Sequence, residues 1–130
     1  MTAKDNKLLA RETMEAFIRW DVEAALVNVA EDVVWTIPGA AGRDLVGKDA
    51  MRKFRTDNAG LFLELERKIV GEYSDANTVV LEVSVKGRLK NGTPYENAVC
   101  HVWEFDNGRI VRCREYADTE KGRVAFQQLS

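Results

Sequence analysis

Apolar positions recur at helical spacing over the first thirty residues and then change to alternation. Leu9 or Ala10, Met14, Phe17 and Ile18 form a stripe that predicts an amphipathic helix, with Lys7, Arg11, Glu12 and Glu15 mostly on the wet side. Asp21 is placed to cap a second short helix carrying Leu26, Val29 and Ala30. Residues 32–37 read as a strand with Val33, Trp35 and Ile37 on one face, stopped by Pro38-Gly39. The glycine-rich stretch 39–47 reads as a loop; its GAAGRDLVG lacks the lysine and spacing of a phosphate loop. A third helix is predicted over 48–60, with Met51, Phe54 and Asn58 on one face. Residues 63–70 alternate only partly. Residues 78–89 alternate cleanly, setting Leu81, Val83 and Val85 against Glu82, Ser84 and Lys86. Lys90-Asn91-Gly92 then turns the chain, and 119–129 reads as a terminal helix. Helices followed by long strands predict an α+β fold, a curved and mostly antiparallel sheet packed on three helices. A strongly curved sheet closed by helices makes a cone, whose open end is a natural pocket.

The segment Tyr95 to Asp118, YENAVCHVWEFDNGRIVRCREYAD, predicts a hairpin folded at Asp106-Asn107-Gly108 and carries the only histidine, His101. A two-residue type I′ turn would pair Phe105 with Ile110 and His101 with Arg114. A three-residue turn with Gly108 as a bulge residue would pair Phe105 with Arg109 and His101 with Cys113. The single-residue difference exchanges the faces of the second strand. The first register buries Arg112 and Arg114 beside Trp103 and Phe105, a cost well above the ~1 kcal/mol of a turn preference. The bulged register is therefore expected. It gives an inner face of Asn97, Val99, His101, Trp103 and Phe105 against Val111, Cys113, Glu115 and Ala117, with Glu115 diagonal to His101. A core histidine bonded to backbone and a glutamate at a sheet margin would produce the same spacing.

Composition narrows the partners. The 130 residues, read as one domain spanning 1–130, are 45% hydrophobic and 31% charged, with a net charge of −2. No basic stripe points to nucleic acid and no apolar run is long enough for a membrane span. The amino terminus lacks the apolar core of a signal peptide, and Cys100 and Cys113 fall on opposite faces in the bulged register; a reducing cytoplasm is the expected compartment. With one histidine and no Cys-x-x-Cys, neither a zinc site nor any other cofactor is expected.

The order of elements, AEDVVWTIPG after two helices, and F-x-x-G-R-I-V-x-x-x-E-Y-x-D near the end resemble the SnoaL-like branch of the nuclear transport factor two-like superfamily, which includes the ketosteroid isomerases. The resemblance implies a cone-shaped α+β barrel, a deep apolar pocket, a homodimer through the sheet, and the odd-numbered side of the hairpin facing the pocket. SnoaL-type polyketide cyclases carry a histidine and an aspartate at the positions matching His101 and Glu115. The hairpin is also similar to phenazine-biosynthesis A/B proteins at Tyr95, Glu96-Asn97, His101 and Arg114-Glu115, although that family's helix histidine and serine are Phe54 and Asn58 here. The base and oxyanion positions of ketosteroid isomerases match Ile37 and Thr13, and the epoxide-hydrolase pair matches Val83 and Val85, so neither set is present.

These readings converge on a catalytic pair, Glu115 and His101. Glu115 would move a proton at carbon beside a carbonyl, and His101 would hydrogen-bond the developing enolate or orient the carboxylate. Trp35, Phe54, Trp103 and Phe105 would wall the site, with Asn58 on the helix face and Tyr95 and Asn97 as donors at the rim; each aromatic also suits an ordinary core. Trp20 reads as helix packing, and Tyr73 and Tyr116 as the sheet exterior or an interface. Two functions fit. One is a cofactor-independent isomerase, cyclase or condensing enzyme acting on a small hydrophobic carbonyl compound; the other is a non-catalytic ligand-binding or dimerisation module.

Overall fold

The computed structural model describes residues 2–37 and 43–127. Its elements are α1 (Ala3–Ile18), α2 (Val22–Leu26), β1 (Val29–Ile37), β2 (Arg43–Val46), α3 (Lys48–Ala59), β3 (Phe62–Asp75), β4 (Thr78–Leu89), β5 (Pro94–Asp106), β6 (Arg109–Ala117) and α4 (Thr119–Gln127). The expected stop at Pro38-Gly39, the start of the glycine-rich loop and the end of the terminal helix lie outside the described residues. The six strands form one curved sheet in the order β2-β1-β6-β5-β4-β3. Among the described residues only the β1–β6 pairing is parallel. The α+β plan follows from segregation, with α1 against β3 and β4, α3 against β1 and β2, and α4 against β5.

Local chemistry sets the helix ends. Thr2 accepts from the Asp5 backbone N–H at 3.2 Å while the Asp5 carboxylate accepts from the Thr2 N–H, a reciprocal cap for α1. Asp21 caps α2 as its position predicts, accepting from the Ala24 N–H at 3.2 Å. That helix ends at Leu26, so Val29 and Ala30 open β1 rather than continuing a helical stripe. The core unites Ala10, Met14 and Phe17 with Leu26, Val33, Trp35, Met51, Leu81, Trp103 and Ile110. Trp35 meets Phe17 and Trp103 edge to face, its ring centroid 6.0 Å from each.

Two expectations need correction. Within the stretch read as a loop, Arg43–Val46 is a short strand, and its pairing with Val34–Ile37 extends the sheet beyond β1. Four residues are too few to show alternation. The second correction concerns the hairpin. Asn107 and Gly108 both have positive φ, 49° and 75°, and Phe105 pairs with Ile110, as a two-residue turn demands. The register then slips between Glu104 and Phe105, leaving Val111 as the extra residue, so Glu104 meets Arg112 and His101 meets Glu115. The turn is thus that of one alternative, and the face assignment that of the other. Ile110 takes the buried place expected for Val111, and Arg112 and Arg114 still point outward to Glu104. Neither arginine needs burial once the bulge restores the parity.

Candidate functional site

Direct pairing of His101 with Glu115, rather than a diagonal relation, brings the two side chains to the inner side of the sheet. His101 is 5% exposed, edge-on to Trp35 and Trp103 at 6.3 and 5.9 Å. Burial drives its pKa down to about 4; Glu115 opposes that shift, and Arg55 and Arg67 add to it. The ring is therefore neutral at pH 7. Its Nδ1 lies 3.5 Å from Glu115 Oε1, yet lacks a hydrogen-bond partner. With the ring neutral, the contact is a close polar approach and not an ion pair.

Arg55 completes the group. From α3 its Nη2 donates to Glu115 Oε1 at 3.0 Å, with both side chains largely buried. Its guanidinium lies 4.4 Å from the Phe17 ring centroid and 4.6 Å from that of Trp35. The planar cation is thus held on aromatic faces while its edge meets the carboxylate. Both contacts to Glu115 fall on Oε1.

This group borders a cavity of about 620 Å³, a volume suited to a small organic molecule. Leu65, Val83, Val85, Val99 and Ile37 supply apolar wall, and Trp20, Arg67 and Asn58 approach from other sides. Asn97 is a clip more than a free donor. Its amide donates to the Tyr95 hydroxyl at 2.8 Å and to Asp118 O at 3.1 Å, and its Oδ1 accepts from the Ala98 and Asp118 N–H groups. Desolvation raises the Tyr95 pKa, so the phenol keeps its proton.

Of the residues singled out in the sequence, His101, Glu115, Asn58, Tyr95 and Asn97 line this cavity. Trp35, Phe54, Trp103 and Phe105 do not. Trp35 and Trp103 are 1% and 0% exposed and Phe105 is 4%, so they belong to the core and not to the cavity wall. Phe54 lies to one side of Arg55, 6.0 Å from its guanidinium. Trp20, expected in helix packing, is a lining residue instead.

Neither Arg55 nor Arg67 stands out in the sequence as a site residue. Arg55 sits four residues after Met51 and three before Asn58, on the face assigned from those two, but its charge suggested water. Arg67 occupies the inward parity of β3 between Leu65 and Ile69, and that alternation was a usable signal. Among the described residues, no three of His, Cys, Asp and Glu are grouped to hold a metal, and no helix is long and apolar enough to cross a membrane.

The SnoaL-like domain family matches residues 10–113, and the chain belongs to it. No curated protein matches. Among solved structures, a nuclear transport factor 2-like protein of unknown function from Burkholderia pseudomallei K96243 is 26% identical, with a TM-score of 0.85 covering 93% of this chain and 96% of that one. An isomerase candidate from Bacillus subtilis is 24% identical at a TM-score of 0.82, over 98% and 96% of the two chains. A SnoaL-like polyketide cyclase candidate from Jannaschia sp. CCS1 is 11% identical at 0.84, over 95% and 92%. The last two likenesses carry the fold alone. The cone-shaped architecture is that of the nuclear transport factor two-like proteins.

Proposed function

We propose that the protein is a cofactor-independent isomerase, cyclase or condensing-type enzyme that performs acid/base chemistry on a small hydrophobic carbonyl compound in the cone cavity. The observation that carries this is Glu115: it lines the cavity with its Oε1 anchored by Arg55, beside a neutral, buried histidine. In this reading the Glu115 carboxylate removes a proton from carbon next to the substrate carbonyl and returns it at a second position. His101 supplies a neutral donor for the developing enolate, and Arg55 fixes the carboxylate. The apolar walls select a flat, weakly polar skeleton. Homodimerisation through the outer sheet face, where Val70, Tyr73 and Tyr116 are exposed, and a reducing cytoplasm for the unpaired Cys100 and Cys113 complete the proposal.

The ion pair itself favours a second reading, a non-catalytic binding module in which Arg55 and Glu115 simply neutralise one another across the cavity floor. The Glu115→Gln variant separates the two. Incubated in heavy water with a flat ketone such as 2-tetralone, the wild-type protein is expected to speed α-proton exchange, followed by NMR. The variant should bind the ketone and fold normally but lose that acceleration. Acceleration that survives in Glu115→Gln rejects the catalytic reading.

A further inference from the structure

Arg67 is a half-buried cation of the cavity that the acid/base chemistry does not use. Its Nη2 donates to the backbone oxygens of Phe17 at 2.6 Å and Ile18 at 3.3 Å, at the end of α1. The negative end of a helix attracts such a cation, so a purely structural capping role is the plain alternative. Three observations go beyond it. Among the described residues no carboxylate forms a salt bridge with Arg67, whereas Arg55 in the same cavity is paired with Glu115. Its Nε is buried and has no hydrogen-bond partner. And the guanidinium is held by an expensive device, Trp20.

Trp20 follows α1 with φ of 63°, a left-handed conformation that bulky side chains avoid. The Trp20 N–H donates to Phe17 O at 3.0 Å and the Asp21 N–H to Ala16 O at 2.9 Å, the bond pair of a helix stop where glycine is usual. Tryptophan there costs on the order of 1 kcal/mol in backbone strain. The stop needs no ring, but the Trp20 ring lies 4.4 Å from the Arg67 guanidinium, and both line the cavity. Strain kept at such a position points to use of the group it holds.

Charge pairing supplies the ligand chemistry. Around the cavity stand three cations, Arg55, Arg67 and Arg123, and three carboxylates, Glu115, Asp118 and Glu120, with His101 neutral; Arg55 is paired with Glu115 and Arg123 with Glu120, while among the described residues no salt bridge reaches Arg67. Burial and the nearby Arg55 pull the Arg67 pKa down to about 10, which still leaves it protonated at pH 7. Arg67 is therefore a cation without a carboxylate contact in a partly dry space, where an incoming anion gains most. We infer that the cavity takes a ligand bearing an acidic group, a carboxylate or a comparably acidic enol, that docks on Arg67 with the apolar skeleton directed toward Glu115. This rests on reading the cavity as the substrate site, and names its substrate class as organic acids.

Two fluorescent probes of one shape test it: 8-anilinonaphthalene-1-sulfonate and its uncharged counterpart N-phenyl-1-naphthylamine, titrated into the full chain. The sulfonate should bind at least tenfold more tightly. Val85→Trp, which fills the cavity, should abolish both signals. Arg67→Gln should erase the preference while sparing the neutral probe, and Arg67→Lys, which keeps the charge if the glutamine variant unfolds, should retain most of it. Equal or tighter binding of the neutral probe, no saturable sulfonate binding, indifference to Val85→Trp, or an unchanged preference in a folded Arg67→Gln protein would each overturn the inference. Binding is read without turnover, so the outcomes separate. A cavity that prefers the neutral probe but shows Glu115-dependent exchange defeats this inference alone; anion preference without exchange defeats the catalytic reading alone.

Discussion

Replacing Arg55 with methionine should destabilise the protein chiefly by stranding Glu115. At 3.0 Å, and at an effective dielectric of about 20, the pair attracts by roughly 5 kcal/mol before desolvation is charged against it. Desolvation takes much of that back, and water from the cavity can reach the abandoned carboxylate. Stacking on Phe17 and Trp35 adds ~1–2 kcal/mol, partly kept by a methionine of similar length. The net expectation is a loss of about 3 kcal/mol, near the lower end for breaking a buried pair. Glu115→Leu should lose about 2 kcal/mol, since it strands the cation instead. The double variant should cost much less than the sum, because an apolar pair suits the aromatic bed. Urea unfolding of the four proteins at pH 7 gives the coupling energy, expected at 2 kcal/mol or more in round figures, equivalent to a midpoint difference of about 1 M or more. Additivity within about 0.5 kcal/mol would mean that the contact is incidental, and the positioning role assigned to Arg55 would fall.

Acid should weaken the fold through His101. Its folded pKa of about 4 lies below the ordinary 6.5, so the unfolded chain binds a proton that the native state refuses. This stability is fully present above pH 6.5 and drains away as pH falls toward 4, by on the order of 3 kcal/mol at the limit; a His101→Gln variant should show a flatter profile in that window, and equal slopes would contradict neutral burial. Asn97→Ala removes the clip joining β5 to the start of α4, and should cost roughly 2–4 kcal/mol in unfolding free energy, with earlier hydrogen exchange at Asp118; a change below about 0.5 kcal/mol would show the clip to be dispensable.

Much of the fold was legible because burial imposes period. Helical stripes and the alternation at Leu81, Val83 and Val85 have no other physical source in a chain of this composition. The hairpin shows where legibility ends. Local turn preference and the cost of burying Arg112 and Arg114 pointed to different registers, and the chain satisfies both by placing a bulge at Val111, a device that leaves no residue signature. The site was half legible for a related reason. His101 and Glu115 stood out as polar residues at inward positions, while Arg55 and Arg67 did not, because a long side chain can lie inward at a position that pattern alone assigns to water. Trp35 and Trp103 stand on the inward faces of their strands and so read as cavity wall, but inward parity alone does not separate wall from core, and the structure places both in the core.

The most direct test of the account compares α-proton exchange of 2-tetralone in heavy water with equal concentrations of wild-type and Glu115→Gln protein, both shown to be folded and to bind the ketone. General-base catalysis by a positioned carboxylate contributes about 10²–10⁴-fold, so the wild-type rate should exceed that of the variant by at least about a hundredfold. Equal rates would contradict the claim that Glu115 is the working base of this cavity.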